Sequence, residues 1–132
     1  KGFTINAPLQ RNSAIADYLL TFKEIFTPAL RKFRPGLVLI SAGQDVLGDD
    51  PLGSMKLCPA DIGLLTHLIL EAADCPLALI LEGGYGPSHG AAVRSIFDVL
   101  KGGRPEENIG GKPGKESIET VSLLKKIHNL TG

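Results

Sequence analysis

Residues 37–45, LVLISAGQD, decide the fold. Leu37 to Ile40 are four consecutive apolar residues without alternation. Such a run predicts a β-strand covered on both faces, because a strand with one wet face alternates polar and apolar side chains. The run passes into the small residues Ser41, Ala42 and Gly43 and then presents the carboxylate of Asp45. A second run, CPLALIL at 75–81, ends in the same manner in EGGY at 82–85. Between the two, Ile62, Leu65, Leu68, Ile69 and Ala72 recur at helical spacing, and Pro59 sits where a first helical turn tolerates proline. Strand, helix, strand in succession implies parallel pairing through a right-handed crossover. Parallel neighbours present their carboxyl ends on one side of the sheet, where open α/β sheets bind ligands. Asp45 and Tyr85 are therefore expected to approach one another although they lie far apart in sequence.

Working outward, GFTINAPL alternates up to Pro8 and predicts a short first strand. From Ser13, Ile15, Tyr18, Leu19, Phe22, Ile25, Phe26, Ala29, Leu30 and Phe33 mark the buried face of an amphipathic helix. Pro28 should kink or restart it with Thr27 as cap, and RPG at 34–36 should end it. After EGGYGPSHG, residues 91–100 predict a further helix. Residues 102–116, GGRPEENIGGKPGKE, read as a mobile surface loop. Residues 117–130 read as a closing helix with Ser117 as its N-cap. About three strands are visible, few for a doubly covered sheet, and the chain starts at Lys1 without an initiator Met. Both suggest further strands on the N-terminal side.

Bulk composition narrows the function. The chain has 132 residues, 43% hydrophobic and 21% charged, as in an ordinary globular domain or part of one. Fourteen basic residues balance fourteen acidic ones, which leaves no overall field to attract nucleic acid. Aromatic residues are only 5%, with no Trp, against a stacking platform for single strands. No apolar run is long enough to cross a membrane, and no signal-peptide pattern is present. Cys58 and Cys75 lack a CxxC spacing and read as buried, reduced thiols of a cytoplasmic protein.

The residue types at the strand ends leave alternatives open. Asp45 is a turn cap or an oxygen ligand for a cation. Asp49 and Asp50 repel unless a cation, an Arg, backbone amides or solvent compensates them. DPLG at 50–53 also fits a turn with Pro at its second position. Gly83 and Gly84 admit a close neighbour or a positive φ. Tyr85 either donates its phenol to a developing oxyanion or packs with its hydroxyl in water. A phosphate loop fits poorly, since neither GxGxxG nor a Walker lysine is present. His89 suits a surface or capping role, and His67 and His128 lack partners at metal-ligand spacing.

Taken together, LVLISAGQDVLGDDPLGSMKL and LALILEGGYGPSH resemble the histone deacetylase family, which includes acetylpolyamine amidohydrolases and acetoin-utilization proteins. INAPL, PALRKFRPG and CPADIGLLTHLI match in order and spacing, so the resemblance covers roughly residues 2–101, with wording closest to prokaryotic members. It implies an arginase/deacetylase-like α/β fold: a three-layer parallel sheet flanked by helices, with residues 1–132 forming the C-terminal part of one deacetylase domain. It also implies a Zn(2+)-dependent amidohydrolase acting on acetylated lysine or polyamine, with no direct nucleic acid and no membrane partner. On the matching positions, Asp45 would be a zinc ligand and Tyr85 the catalytic donor to the scissile carbonyl. Leu52, Gly83 and Gly84 would wall the substrate tunnel, and Asp50 would shape its loop.

The departures matter equally. The family's Asp-x-His ligand segment and its His-His pair occur nowhere in this sequence. One ligand does not hold catalytic zinc, which takes three protein ligands and an open position. Cys58 stands where the family uses Thr or Ser and should cap its helix weakly. The chain alone is therefore expected to be inactive. One alternative is a non-catalytic truncated or degenerate homologue that serves as a binding module. Another is an arginase-like two-metal hydrolase, which would need clustered Asp-x-Asp ligands.

Overall fold

A computed structural model describes residues 3–107 and 110–130. The elements are α1 (Ile15–Thr21), a π-helical segment (Phe22–Phe26), α2 (Thr27–Phe33), β1 (Val38–Ala42), α3 (Pro59–Ala72), β2 (Leu77–Leu81), α4 (His89–Leu100) and α5 (Lys115–His128). β1 and β2 pair in parallel, in register from Val38 opposite Leu77 to Ala42 opposite Leu81. From the first long helix onward the α/β order read from the sequence is the order observed, with α3 as the crossover.

Two expectations about the sheet are corrected. Phe3 to Pro8 form no strand, and the described residues contain a two-stranded sheet. Alternation alone does not make a strand without a ladder partner. Instead, Ile5 and Ala7 pack into the cluster of Ile25, Val121, Leu124 and Leu130. Nor are β1 and β2 covered on both faces. Leu79 packs onto the main core, which includes Ile15, Leu19, Leu47, Ile62 and Leu65, whereas Leu39 and Ile80 on the other face are 65% and 48% exposed.

Pro28 does not restart the helix as expected. The turn before it widens: the Thr27 N–H reaches back five residues to the Phe22 carbonyl. Pro28 has no N–H for the Glu24 carbonyl, and its ring would crowd that group in a regular helix. The π turn relieves the clash, and the helix runs on. Thr27 is helical at φ −68 and caps nothing; its hydroxyl donates to the Lys23 carbonyl at 3.5 Å. The helix stops at Arg34, which turns left-handed at φ 54. At α3, Cys58 makes no side-chain cap, as its chemistry predicts; Asp61 accepts the Cys58 N–H at 2.8 Å instead. Cys58 is exposed and Cys75 half-buried, so neither is the buried thiol anticipated.

α5 begins two residues before Ser117, with Gly114 at its N-cap position. Ser117 turns inward and donates to Asp17 Oδ1 at 2.7 Å. Gly114 N–H reaches the same oxygen at 2.8 Å, and Ala14 N–H reaches Oδ2 at 3.0 Å. One buried carboxylate thus joins the starts of α1 and α5. Burial raises its pKa, but the bonds from Gly114, Ser117 and Ala14 outweigh burial and leave it below 3.8. A lowered carboxylate pKa stabilises the fold above the unfolded value, and that contribution is lost as pH falls through the folded one. Asp17→Asn should therefore lower the urea midpoint at neutral pH, and the gap from wild type should shrink well below pH 3.8. Urea melts at both conditions check this.

Candidate functional site

The parallel register sets the site. Beyond the strands the pairing continues: Glu82 N–H donates to the Ala42 carbonyl at 3.3 Å and Gln44 N–H to the Gly83 carbonyl at 2.7 Å. The SAGQD and EGGY turns are thereby held side by side, and Asp45 and Tyr85 are brought together as expected. A Cβ placed on Gly83 would lie 3.9 Å from Asp45 Cγ and 3.8 Å from Tyr85 Oη. Gly83 keeps open the space between them. Gly84 is glycine for a different reason: its φ is +137, and a Cβ there would lie 2.5 Å from both Gln44 Cβ and His89 Nδ1.

The loop carboxylates divide sharply. Asp50 Oδ2 accepts the Tyr85 N–H at 2.6 Å, and Oδ1 accepts the N–H groups of Leu52 and Gly53 at 2.8 and 2.9 Å. The bond from Tyr85 is the main reason its pKa lies below the ordinary carboxylate value; partial desolvation opposes it, and the Leu52 and Gly53 bonds assist. Asp49 accepts the N–H and hydroxyl of Ser88 at 2.9 and 2.7 Å. Donors from the 85–88 turn and from Leu52 and Gly53 compensate this acidic pair. Asp45 is exposed, and its carboxylate accepts no hydrogen bond among the described residues. No group of three or more His, Cys, Asp or Glu able to hold a metal ion occurs among them.

Gly53 and Leu52 show how closely the loop is drawn in. A Cβ on Gly53 would fall 1.8 Å from the Asp45 carbonyl oxygen. Leu52 projects outward, 76% exposed, and Tyr85 is 66% exposed. His89 is not the plain surface or capping residue expected: Ser88 holds the N-cap position, and His89 opens α4 with its Nδ1 buried.

Sequence reading placed Tyr18 only on the buried face of its helix. Burial, and then the negative charges of Asp45 and Asp17, push its pKa up to about 12. The folded state thus keeps Tyr18 neutral where the unfolded chain ionises it. This contribution is complete below pH 10 and lost as pH rises through about 12. In a Tyr85→Phe background, ultraviolet difference titration should show the remaining tyrosine ionising near 12, and lower in a further Asp45→Asn variant.

The family model for the histone deacetylase domain matches residues 1–100.

The chain belongs to the histone deacetylase family.

Histone deacetylase HDA1 of Candida albicans is 37% identical over 132 residues, 98% of this chain and 16% of that protein. Polyamine deacetylase HDAC10 of Danio rerio is 30% identical over 97% of this chain and 19% of its own length. Among solved structures, the HDA15 HD domain superposes with a TM-score of 0.86 at 30% identity, over 97% of this chain and 36% of that one. The histone deacetylase Clr3 superposes at 0.89 and 27%, covering 96% and 22%. The chain thus spans a minor part of the length of each of these relatives. α5 lies past the span of the family model but within the alignment to the Candida relative. No helix of the described residues is long and apolar enough to cross a membrane.

Proposed function

We propose that this chain is the C-terminal part of a deacetylase domain and supplies the Asp45–Tyr85 side of a zinc-dependent active site for acetylated lysine or an acetylated polyamine. The observation that carries this reading is the contrast among the carboxylates. Asp49 and Asp50 are occupied by loop donors, while Asp45 stands free beside the phenol of Tyr85, across a glycine that leaves room for a substrate group.

Asp45 would hold zinc only together with ligands from outside this chain, because the described residues do not complete a site. When bound, zinc supplies a Lewis acid for the amide carbonyl. The chain's own residues do the rest. Tyr85 donates its O–H to the carbonyl oxygen and strengthens that bond as negative charge develops. Asp50, holding the Tyr85 N–H, aims the turn that carries the phenol. Gly83, Gly84 and Leu52 would border the path of an aliphatic amine stem.

No three-ligand cluster occurs among the described residues, and the other reading is a non-catalytic binding module. An arginase-like two-metal centre is disfavoured, since Asp49 and Asp50 already have donors.

A chimera separates these readings. This chain replaces its aligned segment in histone deacetylase 15 of Arabidopsis thaliana, to which it is 31% identical. The chimera should bind one zinc and turn over a fluorogenic acetyl-lysine peptide, while the chain alone should bind zinc weakly and turn over nothing. A folded, zinc-loaded chimera without turnover would overturn the catalytic reading. Tight stoichiometric zinc on the chain alone would overturn the partial-site reading.

A further inference from the structure

Beneath the Asp45–Tyr85 turn lie two polar atoms that the proposed chemistry does not use. Gln44 is 1% exposed, and its Oε1 has no hydrogen-bond partner among the described residues. His89 Nδ1 is likewise buried and unpartnered. The side-chain bond from Gln44 Nε2 to the Ala42 carbonyl is long at 3.5 Å. Buried polar atoms in folded proteins are almost always paired, and ordered water commonly supplies the partner. Both residues press on Gly84, whose absent Cβ would lie 2.5 Å from Gln44 Cβ on one side and 2.5 Å from His89 Nδ1 on the other. Gln44 also holds the Gly83 carbonyl through its backbone N–H at 2.7 Å. A glutamine from the first strand-end turn and a histidine from α4 therefore enclose the glycine just before Tyr85.

We propose that Gln44 and His89 form a buried polar clasp, a water bridging Oε1 to Nδ1, that fixes Gly84 at its positive φ and so positions Tyr85. Both are positioning residues, since neither would touch substrate. The link to catalysis rests on the reading of Tyr85 above; the clasp itself does not. Without the bridge, Gly84 keeps its crowded conformation only by packing, and the turn gains freedom at the residue that carries the phenol.

A double-mutant cycle on the 132-residue chain tests the clasp without any activity assay. Gln44→Leu and His89→Leu each strand the other's polar atom. Each should reduce the folded-to-unfolded ratio by about fivefold to a hundredfold in urea melts. The double variant should be no worse than the weaker single, because a shared bridge is lost only once. In a Tyr18→Phe background Tyr85 is the sole tyrosine. Its ring resonances should shift or broaden in each single variant, and His89→Asn, whose side-chain amide can replace Nδ1, should restore them. If a leucine variant does not fold, Gln44→Met and His89→Asn complete the comparison on the same two readouts. Additive losses with an unmoved Tyr85 spectrum would overturn the clasp. A coupled cycle in a protein whose Tyr85→Phe chimera stays active would uphold the clasp and remove only its catalytic purpose.

Discussion

Tyr85→Phe in the deacetylase chimera is expected to lower kcat by about a hundredfold to a thousandfold, the usual consequence of removing one donor to a developing oxyanion. Zinc content and Tm should not change. The side chain is 66% exposed and its hydroxyl bonds to no described residue, so phenylalanine forfeits no packing and strands no buried partner. The backbone anchor, Tyr85 N–H to Asp50 at 2.6 Å, survives the substitution. KM should move little, because the lost bond strengthens mainly in the transition state. Steady-state kinetics with a fluorogenic acetyl-lysine peptide measures both constants. A raised KM with kcat intact would reassign Tyr85 from catalysis to substrate docking.

Gly53→Ala should do comparable damage from outside the chemistry. The new methyl would sit 1.8 Å from the Asp45 carbonyl oxygen and 3.0 Å from its carbon, both main-chain atoms that no rotamer change can remove. Either residues 45–53 are forced apart or the loop opens. The first costs about 1–3 kcal/mol, as overpacking does. The second pulls Gly53 N–H from Asp50 Oδ1 and loosens the carboxylate that also holds Tyr85. The 132-residue chain should thus show a lower urea midpoint, and the chimera should lose turnover and zinc together. Gly36→Ala is the control, since a Cβ there meets nothing within 4 Å. A Gly53→Ala chimera with normal zinc and turnover would show that the loop adapts without moving Asp45.

The two apolar runs and the stripe of α3 were legible because burial writes a long, regular pattern into the sequence. The parallel register follows from that pattern, and with it the meeting of Asp45 and Tyr85. What escaped were bonds whose partners are far apart in the chain. For Asp49 and Asp50 the sequence left the compensating group open, because the donors at Tyr85 and Ser88 belong to another turn. Asp17 was passed over although an acid three residues into a helix is a recognisable capping position. Its bond to Ser117 also explains why that serine does not cap. The first strand failed over Phe3 to Pro8 because a strand is a property of a pair, and no partner lies beside this stretch among the described residues. Gln44 read as an ordinary loop residue; its one cue was a long polar side chain between a small-residue turn and the key carboxylate.

The π turn ahead of Pro28 does more than accommodate a ring. Before it, Ile15 and Leu19 face the main core; within it, Ile25 faces the separate cluster with Val121 and Leu124. Each residue of a helix advances its face by about 100°, so the extra residue in the wide turn shifts the phase of the helical faces that follow it. Deleting one residue from 22–26 would make a regular helix and point one end of it at the wrong neighbour. The length of this segment, more than its composition, is therefore what insertions and deletions cannot change.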